Sequence, residues 1–254
     1  MSVKSAMAVG AVDAMAAAME WLAQATPGGL AMRGRDGAVL AVTGARVPML
    51  NGITTTAETP DADAIAELAT LVPDGIPWSI ATRREPSGAV REVARQHGLT
   101  RQISVPLMVR GRDPLPGLMP VGGRIRLVGA DEVPVAAGVI AAGFEAPPEV
   151  FGAMLTAPVL TGAGAQTYLL TKDGMPASTG LSLRQGKRFG LFNIATPPEH
   201  RRRGFAYAVT QRMLLDGFLA GADYAYLQAS KSGRPLYEEL GFRTVENWTY
   251  LVPE

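Results

Sequence analysis

Apolar residues along this chain follow two spacings, one typical of strands and one typical of helices. In the first half, runs rich in β-branched residues predict strands at 37–43, 46–54, 77–82 and 102–109. Between these runs, apolar residues recur every three or four positions and predict helices at 61–71 and 87–97. Asp61 is a suitable N-cap for the first helix, and Gly98 is a suitable stop for the second.

The second half repeats this alternation after a segment, 110–120, that holds three prolines and two glycines and is the best linker in the chain. The pattern predicts a strand, two helices, three strands, a helix, a strand, a helix and a strand. Their approximate ranges are 123–128, 133–144, 148–160, 166–171, 177–183, 189–196, 205–220, 224–230, 235–240 and 245–252. The sequence therefore predicts two domains, 1–110 and 123–254, joined by a linker at 111–122.

The N-terminal segment 5–25 is apolar but is interrupted by Asp13 and Glu20, and its larger apolar residues recur at helical spacing. We interpret it as a packed amphipathic helix rather than a signal peptide. No uncharged run reaches the roughly 20 residues needed to span a bilayer. A soluble, cytoplasmic protein is expected.

Composition narrows the chemistry further. The net charge of +1 provides no broad field for nucleic acid or an acidic membrane. The absence of cysteine excludes disulfides, thiolate metal sites and a cysteine nucleophile, and two histidines make a polyhistidine metal site improbable. No metal is expected.

The most informative stretch is 189–207, where a strand is stopped by Pro197 and Pro198 and a helix then opens after three arginines, Arg201 to Arg203. The first turn of a helix carries partial positive charge, so cations there are unfavourable unless an anion compensates them. Gly204 removes the side chain that would keep a bulky phosphate away from the free backbone N–H groups. A solvated basic helix start is the ordinary interpretation of arginines alone, and the ordered combination favours a pyrophosphate site.

Arg201-x-x-Gly204-x-Ala206, directly after a strand ending in Ile-Ala-Thr, resembles the acyl-CoA signature of the GNAT N-acetyltransferase superfamily, (Gln/Arg)-x-x-Gly-x-(Gly/Ala). The sequence contains neither the glycine pattern of a dinucleotide-binding loop nor the glycines and lysine of a P-loop. The resemblance implies an α+β (α/β) fold of two tandem GNAT-like domains, each a mixed, mostly antiparallel sheet flanked by helices. It also implies acetyl-CoA as co-substrate.

The resemblance assigns site residues by position. Backbone groups of Ile194, Ala195 and Thr196 would bind the pantetheine arm as an extra strand would. The pyrophosphate would be held mainly by main-chain N–H groups of Arg201, Arg202, Arg203, Gly204, Phe205, Ala206 and Tyr207.

Tyr237 matches the family's usual tyrosine, which would protonate the departing thiolate. Ser230 stands where many members carry an asparagine, and a serine can still donate one hydrogen bond to the cofactor. The general base stays open: the position of a frequent glutamate is Ala225, and water relayed through Gln228 or a carboxylate such as Glu246 are alternatives.

Two short runs in the first half of the sequence are similar to runs in the second half. The run 49–54 resembles 191–196 at an offset of 142, from Asn51 to Asn193, and 97–99 resembles 240–242 at an offset of 143. In the first half, the segment 55–61 carries two carboxylates and no glycine, which would repel phosphate. We therefore expect a degenerate GNAT-like domain at 1–110.

These observations favour an acetyl-CoA-dependent N-acyltransferase that acts on an unidentified amine, with a small molecule as the favoured acceptor, by direct attack on the thioester. A non-catalytic CoA-binding sensor or interaction module is the alternative. A nucleic-acid binder is disfavoured by the near-zero net charge. The sequence leaves open whether the protein forms a homodimer.

Overall fold

The computed structural model describes residues 3–117 and 120–254. The chain divides into two compact units that interleave in sequence. The first unit comprises Met1–Leu107, Val150–Met154 and Thr244–Glu254, and the second comprises Met108–Glu149 and Leu155–Arg243. Both units combine a sheet with helices, as expected for an α+β fold.

In its described residues, the first unit contains six strands in the spatial order β1-β2-β3-β4-β11-β5 and three α-helices. Its strands are β1 Leu30–Arg33, β2 Ala38–Val42, β3 Asn51–Thr55, β4 Ser79–Thr82, β5 Arg101–Gly111, whose last four residues belong to the second unit, and β11 Arg243–Val252. Its helices are α1 Val3–Ala25, α2 Ala62–Ala69 and α3 Gly88–Gln96. Strands β1, β2 and β3 pair antiparallel, β3 pairs parallel with β4, and β4 pairs antiparallel with β11.

Local side-chain chemistry sets the helix ends of this unit. The Asp61 carboxylate accepts hydrogen bonds from the N–H groups of Asp63 and Ala64 and so caps α2. Ser87 caps α3 through its hydroxyl, which accepts from the N–H of Val90, and Gly98 follows with φ of 71°. The predicted cap and the predicted stop are confirmed.

Helix α1 is, by length and composition, the one helix in residues 3–117 and 120–254 that could cross a membrane; the window Ala6–Ala25 has a mean hydropathy of 1.3. In the structure it packs against β1, β2 and β3, and Ala11, Ala14 and Met15 are buried. Its Glu20 receives two hydrogen bonds from the Arg33 guanidinium. The interpretation as a packed amphipathic helix agrees with these contacts.

Apart from positions 118 and 119, which are not described, the second unit contains five further strands in the order β10-β9-β8-β7-β6 and four α-helices. The strands are β6 Arg124–Leu127, β7 Ala165–Lys172, β8 Met175–Gln185, β9 Arg188–Ala195 and β10 Tyr224–Gln228. The helices are α4 Val133–Gly143, α5 Ala157–Leu160, α6 Phe205–Leu219 and α7 Arg234–Glu239. Strands β6 to β9 pair antiparallel, and β9 pairs parallel with β10.

Helices α4 and α6 cover opposite faces of this sheet. Gly180 of β8 lies under α6, where an added Cβ would meet Met213 and Val209. Its neighbour Thr179 pairs with Ala195, and the Ala195 side chain lies against Gly143 at the end of α4. Because successive strand residues face opposite sides, the two helices enclose β8 and β9.

Three sequence predictions about the layout are corrected by the structure. The strand predicted at 245–252 forms, as β11, but it pairs with β4 and belongs to the first unit rather than to the second. The helix predicted at 148–160 is a 3₁₀ segment, Pro148–Leu155, interrupted at Gly152 with φ of 52°, followed by the short α5. Gly152 breaks the segment because its conformation is not helical.

The third correction concerns the predicted linker. The Arg110 guanidinium, which is buried, donates to the carbonyls of Gly111, Asp113 and Pro114, and Gln211 of α6 donates to those of Pro116 and Gly117. Residues 111–117 are therefore fastened to the second unit rather than free. Positions 118 and 119 of the predicted linker lie outside the described residues.

Candidate functional site

The candidate site of the second unit begins where two parallel strands stop pairing. Strands β9 and β10 are paired only from Arg188 to Gly190 and from Tyr224 to Tyr226. On its other edge, β9 stays paired with β8 as far as Ala195. The edge of β9 from Leu191 onward therefore offers backbone donors and acceptors to a ligand that lies alongside it.

A β-bulge in β9 accompanies this gap. Thr179 and Leu181 of β8 are two residues apart, but their partners on β9, Ala195 and Phe192, are three apart. The extra residue lies next to Asn193, which has φ of 48°, a left-handed conformation that asparagine tolerates better than most residues. Sequence analysis missed this bulge, although an asparagine inside an otherwise apolar strand was the available signal.

The start of helix α6 is open to an anion. Its N-cap, Gly204, has φ of 78° and no side chain, and the first intrahelical hydrogen bond runs from the N–H of Ala208 to the Gly204 carbonyl. In the described chain, the N–H groups of Phe205, Ala206 and Tyr207 consequently find no acceptor. Free N–H groups and the positive end of the helix macrodipole together favour a phosphate.

The three arginines of the loop have different environments. All three are exposed, but Arg202 and Arg203 make no ion pair with a carboxylate of the residues that the structure describes. Arg202 also has a positive φ of 62°. Arg201 is bonded within the protein, through its guanidinium, to Thr196, Gly143 and Glu145.

Several predicted cofactor-binding residues use their side chains for packing. Phe205 and Tyr207 are buried in the hydrophobic core of the second unit, and Ile194 packs against that core. Burial raises the pKa of Tyr207. For these residues only backbone groups are available to a ligand, as the sequence interpretation of the pyrophosphate site supposes.

The predicted pantetheine strand is held by side chains around it. The Ser178 hydroxyl donates to the Ala195 carbonyl at 3.1 Å and lies 2.8 Å from the Thr196 hydroxyl. The Thr196 carbonyl accepts from the Arg201 guanidinium. These bonds fix the end of the strand.

Tyr237 is the candidate general acid. It lies on α7, is 9% exposed, and packs edge-on to Phe242 with ring centroids 6.0 Å apart. Burial raises the pKa of its hydroxyl to about 12, because the charged phenolate is poorly solvated there. The hydroxyl therefore keeps its proton at neutral pH, as a proton donor requires.

Ser230 lies just before α7 and is exposed. Its hydroxyl accepts from the N–H of Gly233 at 3.1 Å, and an added Cβ at Gly233 would meet both this hydroxyl and the Tyr237 ring. In this arrangement Ser230 shapes the turn that carries Tyr237. Its predicted contact with a cofactor stays a prediction.

The structure narrows the choice of a general base. Glu246, in the first unit, receives three hydrogen bonds from the Arg83 guanidinium, and both side chains are largely buried. Both oxygens of this carboxylate are therefore already engaged within the first unit. His200 is half-buried beside the Phe205 ring, and its buried Nδ1 atom has no partner among the described residues.

Comparison with known proteins identifies the fold. A GCN5-related N-acetyltransferase from Kribbella flavida superimposes with a TM-score of 0.66 at 17% identity, over 95% of each chain. A protein described as a GNAT-family acetyltransferase from Novosphingobium aromaticivorans DSM 12444 gives 0.61 at 21% identity, over 92% of this chain and 95% of that one. The chain therefore has the fold of the GCN5-related N-acetyltransferases, and the predicted α+β GNAT-like fold is confirmed, while its tandem layout stays a prediction.

A conserved protein of unknown function from Staphylococcus epidermidis ATCC 12228 is similar as well, with a TM-score of 0.64 at 10% identity over 89% of this chain and 94% of that one. No protein-family model and no curated protein matches the sequence. The likeness is thus one of fold, and roles of individual residues rest on the geometry of the site.

Proposed function

We propose that the protein is an acyl-CoA-dependent N-acyltransferase, with acetyl-CoA as donor and a small-molecule amine as acceptor. The observation that carries this proposal is the combination, in one unit, of an unpaired strand edge on β9 with an uncapped, basic helix start at α6. A pantetheine arm needs a strand edge, and a pyrophosphate needs free N–H groups and positive charge. The GNAT fold supports the same conclusion.

In the proposed reaction, the amine nitrogen attacks the thioester carbonyl carbon, a C–N bond forms and the C–S bond breaks. Backbone N–H groups of the β9 bulge stabilise the oxyanion, and the Tyr237 hydroxyl gives its proton to the departing thiolate sulfur. The nitrogen loses one proton to water, and Tyr237 regains one from water. The protein's contribution is proximity, oxyanion stabilisation and this proton transfer.

We further propose that the first unit, whose largest segment is Met1–Leu107, is a degenerate copy of the same fold. The matching order of strand, helix, parallel strand and helix in β3-α2-β4-α3 and β9-α6-β10-α7 supports it. We also propose that the protein works in the cytoplasm; the packing of α1 and the pairing of its Glu20 with Arg33 support a core helix rather than a membrane span.

The testing experiment is calorimetric titration with acetyl-CoA of the wild type and of two Gly204 variants. Asn and Asp are nearly isosteric and both tolerate the left-handed conformation at this position. Gly204→Asp places a carboxylate at the phosphate site, so we expect it to weaken binding at least tenfold more than Gly204→Asn does. Absence of binding by the wild type would reject the proposed function.

Turnover separates the transferase from the alternative of a non-catalytic CoA-binding module. Wild-type protein that binds acetyl-CoA should release free thiol, detected colorimetrically, in the presence of suitable members of a panel of primary amines. Binding with no thiol release for any amine would favour the binding module.

A further inference from the structure

Arg201 is the first arginine of the loop that precedes α6, and all of its polar contacts are made inside the protein. Its Nε donates to the Thr196 carbonyl at 3.1 Å, and one terminal nitrogen donates to the Gly143 carbonyl at 2.9 Å. The other terminal nitrogen lies 2.7 Å from a carboxylate oxygen of Glu145. One guanidinium thus joins the end of β9 to the end of α4.

The end of α4 is shaped to meet this arginine. Gly143 has no Cβ, and one added there would lie 2.7 Å from the Ala195 Cβ and 2.9 Å from the Thr196 nitrogen. Glu145 takes a left-handed conformation with φ of 53°, which a non-glycine residue rarely adopts. A cation is also favourable at the carbonyl end of a helix. The close packing at Gly143, the turn at Glu145 and the negative end of the helix dipole therefore all favour the observed position of the Arg201 guanidinium.

The neighbouring arginines differ in this respect. Like Arg201, both Arg202 and Arg203 are exposed, but no carboxylate of the described chain pairs with them. Moving the Arg201 guanidinium to a phosphate would leave the Gly143 and Thr196 carbonyls without their donor and would abandon Glu145. Arg202 and Arg203 can reach an anion without breaking any such bond.

We propose that Arg201 is a positioning residue, which holds the end of α4 against the Ala195–Thr196 end of β9, and that Arg202 and Arg203 supply the side-chain charge for the phosphates. This inference rests on the proposed acyl-CoA site. It assigns the first arginine of the loop to the acyl end of the site, through Thr196, and the next two to the nucleotide end.

The positioning role is tested first without any ligand. Arg201→Gln removes the charge and two of the three contacts, and Arg203→Gln is the matched control in the same loop. Hydrogen–deuterium exchange should accelerate at least tenfold at the N–H groups of Glu145 and Ala146, which close the turn after α4. Arg203→Gln should leave these rates unchanged. Equal rates in wild type and Arg201→Gln would overturn the proposal, whatever the protein binds.

The second arm compares acetyl-CoA with 3′-phospho-ADP, a fragment that carries the phosphates and lacks the pantetheine arm. Arg203→Gln should weaken both ligands by a similar factor, because it acts at the phosphates. Arg201→Gln should leave the fragment within about twofold of wild type and weaken acetyl-CoA at least fivefold. A loss of fragment binding in Arg201→Gln equal to that in Arg203→Gln would overturn the assignment.

Glu145→Gln distinguishes a positioning role of Arg201 from a phosphate-binding role, because the two predict opposite changes in ligand binding. Loss of the Glu145 carboxylate removes its ion pair with Arg201. The hydrogen-exchange rates after α4, and the ratio of the dissociation constants for acetyl-CoA and 3′-phospho-ADP, should therefore change as in Arg201→Gln. An arginine that serves the phosphates would instead be released by this change, and the fragment would bind more tightly. Tighter fragment binding would therefore reject the proposal.

Discussion

Helices α2 and α6 occupy equivalent places in the two units, each between a strand and its parallel neighbour, and they begin in opposite ways. At α2 the Asp61 carboxylate occupies the free N–H groups of the first turn. At α6 the N-cap is Gly204, and the N–H groups remain open beside exposed arginines. An internal carboxylate thus fills in one unit the position that an external anion can fill in the other.

The strands before these helices show the same contrast. Strand β3 is paired with β4 from Gly52 to Thr54, and the Ser79 hydroxyl donates to the Asn51 carbonyl. The Asn51 side chain is itself fully engaged, for it accepts from the N–H groups of Thr43 and Gly44 and donates to three carbonyls. Asn193, at the matching sequence position, lies instead at a bulge beside an unpaired edge. A cap and a continuous ladder are sufficient to close such a site.

Gly52→Ala should disrupt the pairing of β3 with β4 in the first unit. It is expected to have the largest effect of the changes considered. Gly52 has φ of 119°, and an added Cβ would lie 2.0 Å from the Ser79 carbonyl oxygen. We expect the free energy of unfolding, measured in urea, to fall by about 3 kcal/mol. Gly75→Ala is the control, because Gly75 has φ of 75° with open space around it, and should cost about 1 kcal/mol. Equal losses would contradict the steric argument.

Tyr237→Phe tests the candidate site of the second unit. The sequence offset places Ala94 at the matching position of the first unit, where no hydroxyl can act. We expect kcat to fall about 100-fold, equivalent to about 2.7 kcal/mol, while the dissociation constant for acetyl-CoA stays within twofold. Tyr168→Phe, a buried tyrosine of β7, is the control and should retain kcat.

The raised pKa of Tyr237 gives this prediction a pH dependence. Burial raises the pKa from 10.0 to about 12, so the hydroxyl stays protonated in the neutral and mildly alkaline range. Loss of this proton should therefore not limit kcat below about pH 10. The associated stabilisation is complete below pH 10 and disappears as the pH rises through 12. Stability should therefore fall less over this interval in Tyr237→Phe than in wild type; an identical fall would contradict the assigned pKa.

Asp61→Ala should show whether an open helix start alone creates a site. Loss of the cap should cost about 1 kcal/mol in thermal or urea unfolding. It should not confer acetyl-CoA binding on the first unit, because β3 and β4 remain paired. The measurement is calorimetry on the Gly204→Asp background, in which binding by the second unit is weakened. Additional binding gained there with Asp61→Ala would show that the strand gap is dispensable.

The smallest expected effect is that of ionic strength. Raising the salt concentration should weaken acetyl-CoA binding several-fold, because Arg202 and Arg203 are exposed and screened. Replacing both by Gln should flatten this dependence, whereas Lys187→Gln and Arg188→Gln, away from the loop, should not. An unchanged slope in the Arg202→Gln, Arg203→Gln double variant would remove these side chains from the phosphate site.

Local chemistry determined how much could be predicted from sequence. The Asp61 cap, the stop at Gly98 and the helix start at Gly204 depend on neighbouring residues and were predicted correctly. The place of β11 depends on pairing with β4, which lies more than 160 residues earlier in the chain. The contact of Arg201 with Glu145 likewise joins residues 56 positions apart. No local pattern records either one.

The membership of β11 in the first unit has a consequence for biosynthesis. All of the second unit is translated before Thr244–Glu254, yet the sheet of the first unit requires those residues. The half that is made first is therefore completed last. Until then β4 presents an unpaired edge, the kind of surface that chaperones shield and that aggregation exploits.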